Sequence, residues 1–193
     1  KINWECLMIL NLIILVALVW AFMVGYSRGL ILQVIYSFGT IIAAFIAASN
    51  YKELAQKLSI WVPFSNATEN SHLLLFSDKL LFQLDDAFYA SISFLAIFIV
   101  VYAIIRLIGL FLHFALSPLG RNGKIIAGIL GFAATYFGLQ MVLMVLSLVP
   151  IAAVQSQLDA SFLARFMVLH TPISSGILQN LFIENIVHIN PLG

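Results

Sequence analysis

A single cysteine, Cys6, rules out an internal disulfide, and four scattered histidines, no two at ligand spacing, offer no metal motif. Charge is the larger deficit. Only 9% of the 193 residues are Asp, Glu, Lys or Arg, against about a quarter in soluble domains, and 63% are hydrophobic. Such a composition excludes an ordinary soluble fold. It also leaves no basic surface for a nucleic-acid partner, so none is expected. Serines such as Ser91 and Ser93 fall in apolar runs without a carboxylate or histidine at matching depth, so intramembrane hydrolysis has no base. No enzyme activity and no cofactor are expected.

What the chain does have is long apolar runs. Leu7 to Val24 and Leu30 to Ala48 are each long enough to cross a hydrocarbon core of about 30 Å, and only Gly25-Tyr26-Ser27-Arg28-Gly29 separates them. The first run ends in Trp20-Ala21-Phe22-Met23-Val24 rather than a small-residue cleavage site, so it reads as a retained span. Residues before Met8 are read as an extension, and nothing rests on them. A third run extends from Ala87 to Leu116, with the span ending near Arg106 and a tilted or interfacial helix continuing to Ser117-Pro118. A fourth covers Ile125 to Val149 and stops at Pro150.

The expected fold is an all-α membrane protein forming one membrane domain over residues 1–193. Its four transmembrane helices lie at about 7–24, 30–48, 87–106 and 125–149. Amphipathic helices on the extracytoplasmic side are expected in the 49–86 loop, from Leu54, Leu58 and Trp61 and again over Leu73 to Leu84, with Pro63 to Ser71 as loop. Amphipathic C-terminal helices are expected at about 156–188. Their stripes are Leu158, Phe162, Phe166, Leu169 and then Ile173, Ile177, Leu181, Phe182, with Thr171 capping the second helix and Pro172 in its first turn.

Charge sets the orientation. Arg28, Arg106, Arg121 and Lys124 share one face with no acid, whereas the other face holds five bases against eight acids. By the positive-inside rule the short basic connections are cytoplasmic and both termini extracytoplasmic. Arg28 and Arg106 then read as interfacial anchors, or as contacts to lipid phosphate or a partner's carboxylate, with Gly25 and Gly29 allowing a tight turn. Gly39, Ala43, Ala47 and Gly123, Ala127, Gly131 are small-residue stripes for close helix packing, with a homo-oligomer seam as the alternative. Gly131 to Gln140, including Ala134, Thr135 and Gly138, is the face best suited to line a crevice. Asn66-Ala67-Thr68 fits a glycosylation sequon that chance explains.

The order of spans, with Gly25-Tyr26-Ser27-Arg28-Gly29-Leu30-Ile31-Leu32-Gln33, then Leu119-Gly120-Arg121-Asn122-Gly123-Lys124 and Gly128-Ile129-Leu130-Gly131, resembles the colicin V production protein (CvpA) family of bacterial inner-membrane proteins. Leu163-Ala164-Arg165 and Thr171-Pro172 continue the likeness. The family's glycine-arginine-glycine turn corresponds to Gly25, Arg28 and Gly29, and its glycine-rich approach to the last span to Gly120, Gly123, Gly128 and Gly131. Relatives often carry an aspartate where this chain has Asn11. The resemblance implies a multi-pass protein of the bacterial cytoplasmic membrane linked to toxin (bacteriocin) production or export, or to envelope homeostasis. It would act non-enzymatically on membrane lipid or on envelope or export proteins. The alternative is a small transporter or channel with its pathway along the fourth span.

Overall fold

The computed structural model describes residues 4–61, 73–76, 80, 83–116 and 123–187, with side chains from residue 9 onward and, in the third helix, up to residue 111. Gly120, Arg121, the 63–71 loop with its sequon, and the histidines at 72 and 188 lie outside them. The described chain is helical without strands: α1 Trp4–Arg28, α2 Leu30–Trp61, α3 Leu84–Leu116, α4 Lys124–Ser147, α5 Ala152–Ala160, α6 Phe162–His170 and α7 Ser174–Val187. The stretches Ile9–Arg28, Leu30–Trp61, Leu84–Phe111 and Lys124–Ser147 are long and apolar enough to cross a bilayer. α1 packs on α4 and α2 on α3, and α2 against α4 joins the two pairs. Outward-facing side chains are largely apolar, with Phe45 76% and Phe111 77% exposed, a belt suited to lipid and untenable in water.

Three boundaries differ from the sequence reading. The five-residue break before α2 is almost entirely helix: α1 continues through Arg28, and the chain turns at Gly29 alone, whose φ of 85° favours glycine. α2 does not stop at Ala48. Ser49 Oγ donates to Phe45 O (3.0 Å) and Asn50 Nδ2 to Ile46 O (2.8 Å), so these polar side chains are satisfied on the helix itself, and residues 51–61 prolong α2 instead of forming a separate surface helix. α3 runs past Arg106 to Leu116, the helical continuation expected there, though apolar and long enough to span through Phe111 rather than ending near Arg106. Within Leu73 to Leu84, expected at the surface, Leu73, Leu75, Phe76, Leu80 and Leu84 are instead buried in the core.

That core fills the end of the bundle opposite Gly29. Tyr51, Phe94 and Phe182 meet edge to face, with Phe94 and Phe182 5.1 Å apart between ring centres. The C-terminal helices belong to this core, and the expected stripes are split by it: Leu158 and Phe182 are buried and Leu169 and Leu181 pack against the core, whereas Phe162, Phe166, Ile173 and Ile177 are exposed, and Ala164, Met167, Val168, Leu178 and Ile183 complete the buried face. α6 and α7 bend by 73° at their junction. Thr171, at the bend, lies 2.6 Å from the hydroxyl of Tyr136, the midpoint of the 24-residue α4. α6 begins beside Asn11, and α7 returns to Tyr51, whose hydroxyl donates to Leu181 O (3.0 Å). Because Asn11 and Tyr51 lie at the same end of the bundle, the pair dips to about half the depth of α4 and comes back.

The bend itself is a tight turn. Ser174 N donates to Pro172 O (2.9 Å) around Ile173, whose φ of 72° is costly for a β-branched residue. The Thr171 hydroxyl bonds to Met167 O (3.0 Å), closing α6 rather than capping α7, and Pro172 precedes the first turn of α7 instead of occupying it.

Asn11 supports the start of α6. Its Oδ1 accepts from Leu163 N (3.0 Å) and from Ser161 Oγ (2.8 Å), and Ser161 Oγ in turn accepts from Ala164 N (3.2 Å). An Asn11→Leu chain should lose about 2 kcal/mol, because the backbone donor at Leu163 is stranded away from water. Asn11→Asp should retain stability, since a carboxylate accepts both bonds and faces a helix N-terminus. Unfolding midpoints in mixed detergent measure both.

Candidate functional site

Tyr36 lies in the second turn of α2, and both arginines of the bundle converge on its ring. The Arg28 guanidinium carbon is 5.1 Å from the ring centre and that of Arg106 is 4.8 Å from it; Arg106 is also 5.6 Å from the Tyr102 ring. Arg28 ends α1 yet turns back along α2, and Arg106 sits ten residues before the end of α3. Neither side chain reaches outward beyond the helix ends. Gly109, one turn beyond Arg106, makes room for the ring: a Cβ there would overlap the Tyr36 ring and hydroxyl. Gly109 and Tyr36 were not singled out in the sequence; the signal available was a glycine at i+3 from an intramembrane arginine.

Cation–π contact is worth about 1–2 kcal/mol to each guanidinium, against roughly 2.5–3.5 kcal/mol that an arginine costs at the centre of a span and less toward its end, where both of these lie. The two like charges also repel. No ion pair reaches either guanidinium among the described residues, and the sequence holds no Asp or Glu at positions 6–52 or 87–158. Among the described residues, then, no carboxylate compensates this positive charge.

The arginines close one end of a cleft of about 720 Å³. Its α1 wall is apolar, from Leu12 and Val16 through Trp20 to Val24; Gly131, Ala134 and Thr135 of α4 line it opposite. At the closed end Gln33 is 2% exposed, and its Oε1 has no hydrogen-bond partner. A second recess of about 590 Å³ between α2 and α3 shares Arg28, Tyr102 and Arg106, so the cations stand where the two spaces meet.

The other sequence-selected residues divide between this site and packing. Gly25 faces α4, where its Cβ would lie 2.5 Å from Ala127 O; Gly131 faces back toward Ala21 O and Gly25 Cα. Gly128 faces the Phe22 ring, and Gly39 faces Ile105 of α3. These small residues thus serve contacts within the chain, where dispersion forces drive helix association in lipid. Gly123, with φ 78°, opens α4, and Lys124 Nζ lies 5.5 Å from the Tyr26 ring, apart from the arginine pair. Of the α4 face expected to line a crevice, Gly131, Ala134 and Thr135 do so. Gln140 instead donates to Met167 O (2.7 Å) in the packed core, and Gly138 has nothing within 4 Å of a would-be Cβ.

Chemically the closed end offers guanidinium donors, which cannot lose a proton in a protein, a neutral amide and phenols. Such a set can donate hydrogen bonds to an anion.

A family model described as Colicin V production protein matches residues 10–172. A Bacillus subtilis (strain 168) protein described as "Uncharacterized transmembrane protein YshB" is 32% identical over 177 residues, covering 91% of this chain and 98% of that protein. No solved structure matches.

Proposed function

The chain belongs to the colicin V production protein family, and we propose that it is a non-enzymatic component of a bacterial cytoplasmic membrane that supports toxin production or export, or envelope homeostasis, by binding a partner or lipid. One observation carries this reading: two arginines held on a single tyrosine inside a four-span bundle, with no compensating carboxylate among the described residues. An intramembrane charge that costs stability without such compensation is retained for what it binds. The arginine end is assigned to the cytoplasm, with both termini outside, on the absence of acid from that face. In a Cys6→Ser chain, an impermeant thiol reagent added from outside should label a cysteine placed at Asn66 and not one at Asn122; the reverse pattern would invert the assignment.

The binding reading is tested by isolating the chain in native lipid from wild-type and Arg28→Gln/Arg106→Gln cells, then identifying what accompanies it. The expected result is a specific lipid or protein enriched with the wild type and depleted at least fivefold with the variant. Identical companions in both samples would sink the reading.

A further inference from the structure

The cleft beside the arginine pair has two chemically distinct parts. At one end two guanidiniums approach the same ring, and a buried amide with an unpartnered oxygen lines the same space. From there the α1 wall runs back to Leu12 without a charge, roughly 24 Å at a rise of about 1.5 Å per residue. A free ion would use only the first part. A purely apolar molecule would use only the second and leave the cations bare.

Arginine donors in a planar fork match phosphate oxygens, and the bond is strongest where water is scarce. No Asp or Glu occurs at positions 6–52 or 87–158, the stretches around the two arginines. We infer that the cleft binds one membrane lipid through its phosphate, held between Arg28 and Arg106, with its acyl chain laid along the α1 wall past Trp20. The Gln33 side chain lies at the same closed end, where its amide can hydrogen-bond to the headgroup. Tyr36 fixes the spacing of the two guanidiniums before the lipid arrives, so little ordering remains to be done on binding. The cleft is open along its side to the membrane, through the exposed Leu12, Val16 and Trp20, which lets a lipid enter without leaving the bilayer. This inference rests on the binding reading above and names its ligand.

Trp20 makes the site observable. In a chain carrying Trp4→Phe and Trp61→Phe, Trp20 is the sole tryptophan, and bromine on a bound acyl chain should quench it. The probes are phosphatidic acid with brominated chains and, as a phosphate-free control, diacylglycerol with the same chains, titrated into the full-length protein in detergent micelles. The expected result is saturable quenching by phosphatidic acid at least tenfold tighter than by diacylglycerol. Arg28→Gln/Arg106→Gln should remove that difference, Arg28→Lys/Arg106→Lys, which keeps the charge and loses the planar fork, should keep only part of it, and Ala17→Phe, which fills the cleft with both arginines intact, should weaken quenching by either probe. Equal quenching by the two lipids, or a difference that survives Arg28→Gln/Arg106→Gln, would reduce the contact to ordinary boundary lipid and overturn the inference. Displacement of brominated phosphatidic acid by millimolar inorganic phosphate would assign the site to a free anion and overturn it equally. A wild-type chain that co-isolates a protein partner in native lipid, yet shows no phosphate-dependent quenching, keeps the binding reading and loses this one.

Discussion

Gly25→Leu should destabilise the bundle by about 3 kcal/mol, roughly two orders of magnitude in the folding equilibrium. Gly25 sits where α1 and α4 touch backbone to backbone: its added Cβ would lie 2.5 Å from Ala127 O, 3.2 Å from Ala127 C and 3.3 Å from Gly128 Cα. None of these atoms is the end of a side chain that can swing away, so α1 and α4 must separate along their whole contact. In lipid that separation gains nothing from water, and the dispersion lost is the energy that joined the helices. Gly138→Leu is the matched control. It lies on the same α4 with nothing within 4 Å of its would-be Cβ, and should change stability by less than about 0.5 kcal/mol. Unfolding of both variants in mixed micelles of increasing dodecyl sulfate content measures the contrast. Equal midpoints would mean that α1 and α4 do not meet at Gly25.

Gln155→Leu should cost a similar amount, about 3 kcal/mol, for a different reason. Its Nε2 donates to Ser147 O and Val149 O, both at 2.9 Å, and its Oε1 accepts from Leu74 N at 3.2 Å. Two of these are carbonyls at the C-terminal end of α4, where the helix has no further N–H to offer, and the third is the amide of Leu74, half exposed between the buried Leu73 and Leu75. A leucine of similar volume fills the space and strands three backbone groups. Beyond the shift in midpoint, hydrogen exchange at Leu74 should rise above the rate of global opening, toward that of an unprotected amide. Protection at Leu74 that outlasts the substitution would show that another group accepts its proton.

Much of the architecture was legible because a bilayer makes so strict a demand on composition. The four spans, their small-residue contacts and the glycine turn could be read from runs of apolar residues and the spacing of Gly39, Gly123, Gly128 and Gly131. The errors arose where hydropathy is a poor guide. Ser49 and Asn50 look like the end of a span, yet each bonds to its own helix, a local geometry that residue type alone does not reveal. The C-terminal stripes mix buried Leu158 and Phe182 with exposed Phe162 and Ile173, because most residues there are apolar, and a pattern needs polar positions to have a phase. Arg28 and Arg106 were both picked out, but separately. Their meeting depends on the pairing of α2 with α3 and on Tyr36 lying over Gly109, contacts between residues more than seventy positions apart in the chain.

The bent pair α6–α7 implies an order of events in time. Ribosomes deliver a chain from its N-terminus, so α1 to α4 emerge before residues 162–187 do. The fixtures that hold the pair are all on those earlier helices: Asn11 on α1, Tyr51 on α2, Tyr136 and Gln140 on α4. Until the last segment arrives, these groups face lipid or one another, and the cavity they surround is unfilled. Closure of the molecule is thus a late docking step, guided by polar latches on helices that emerged earlier.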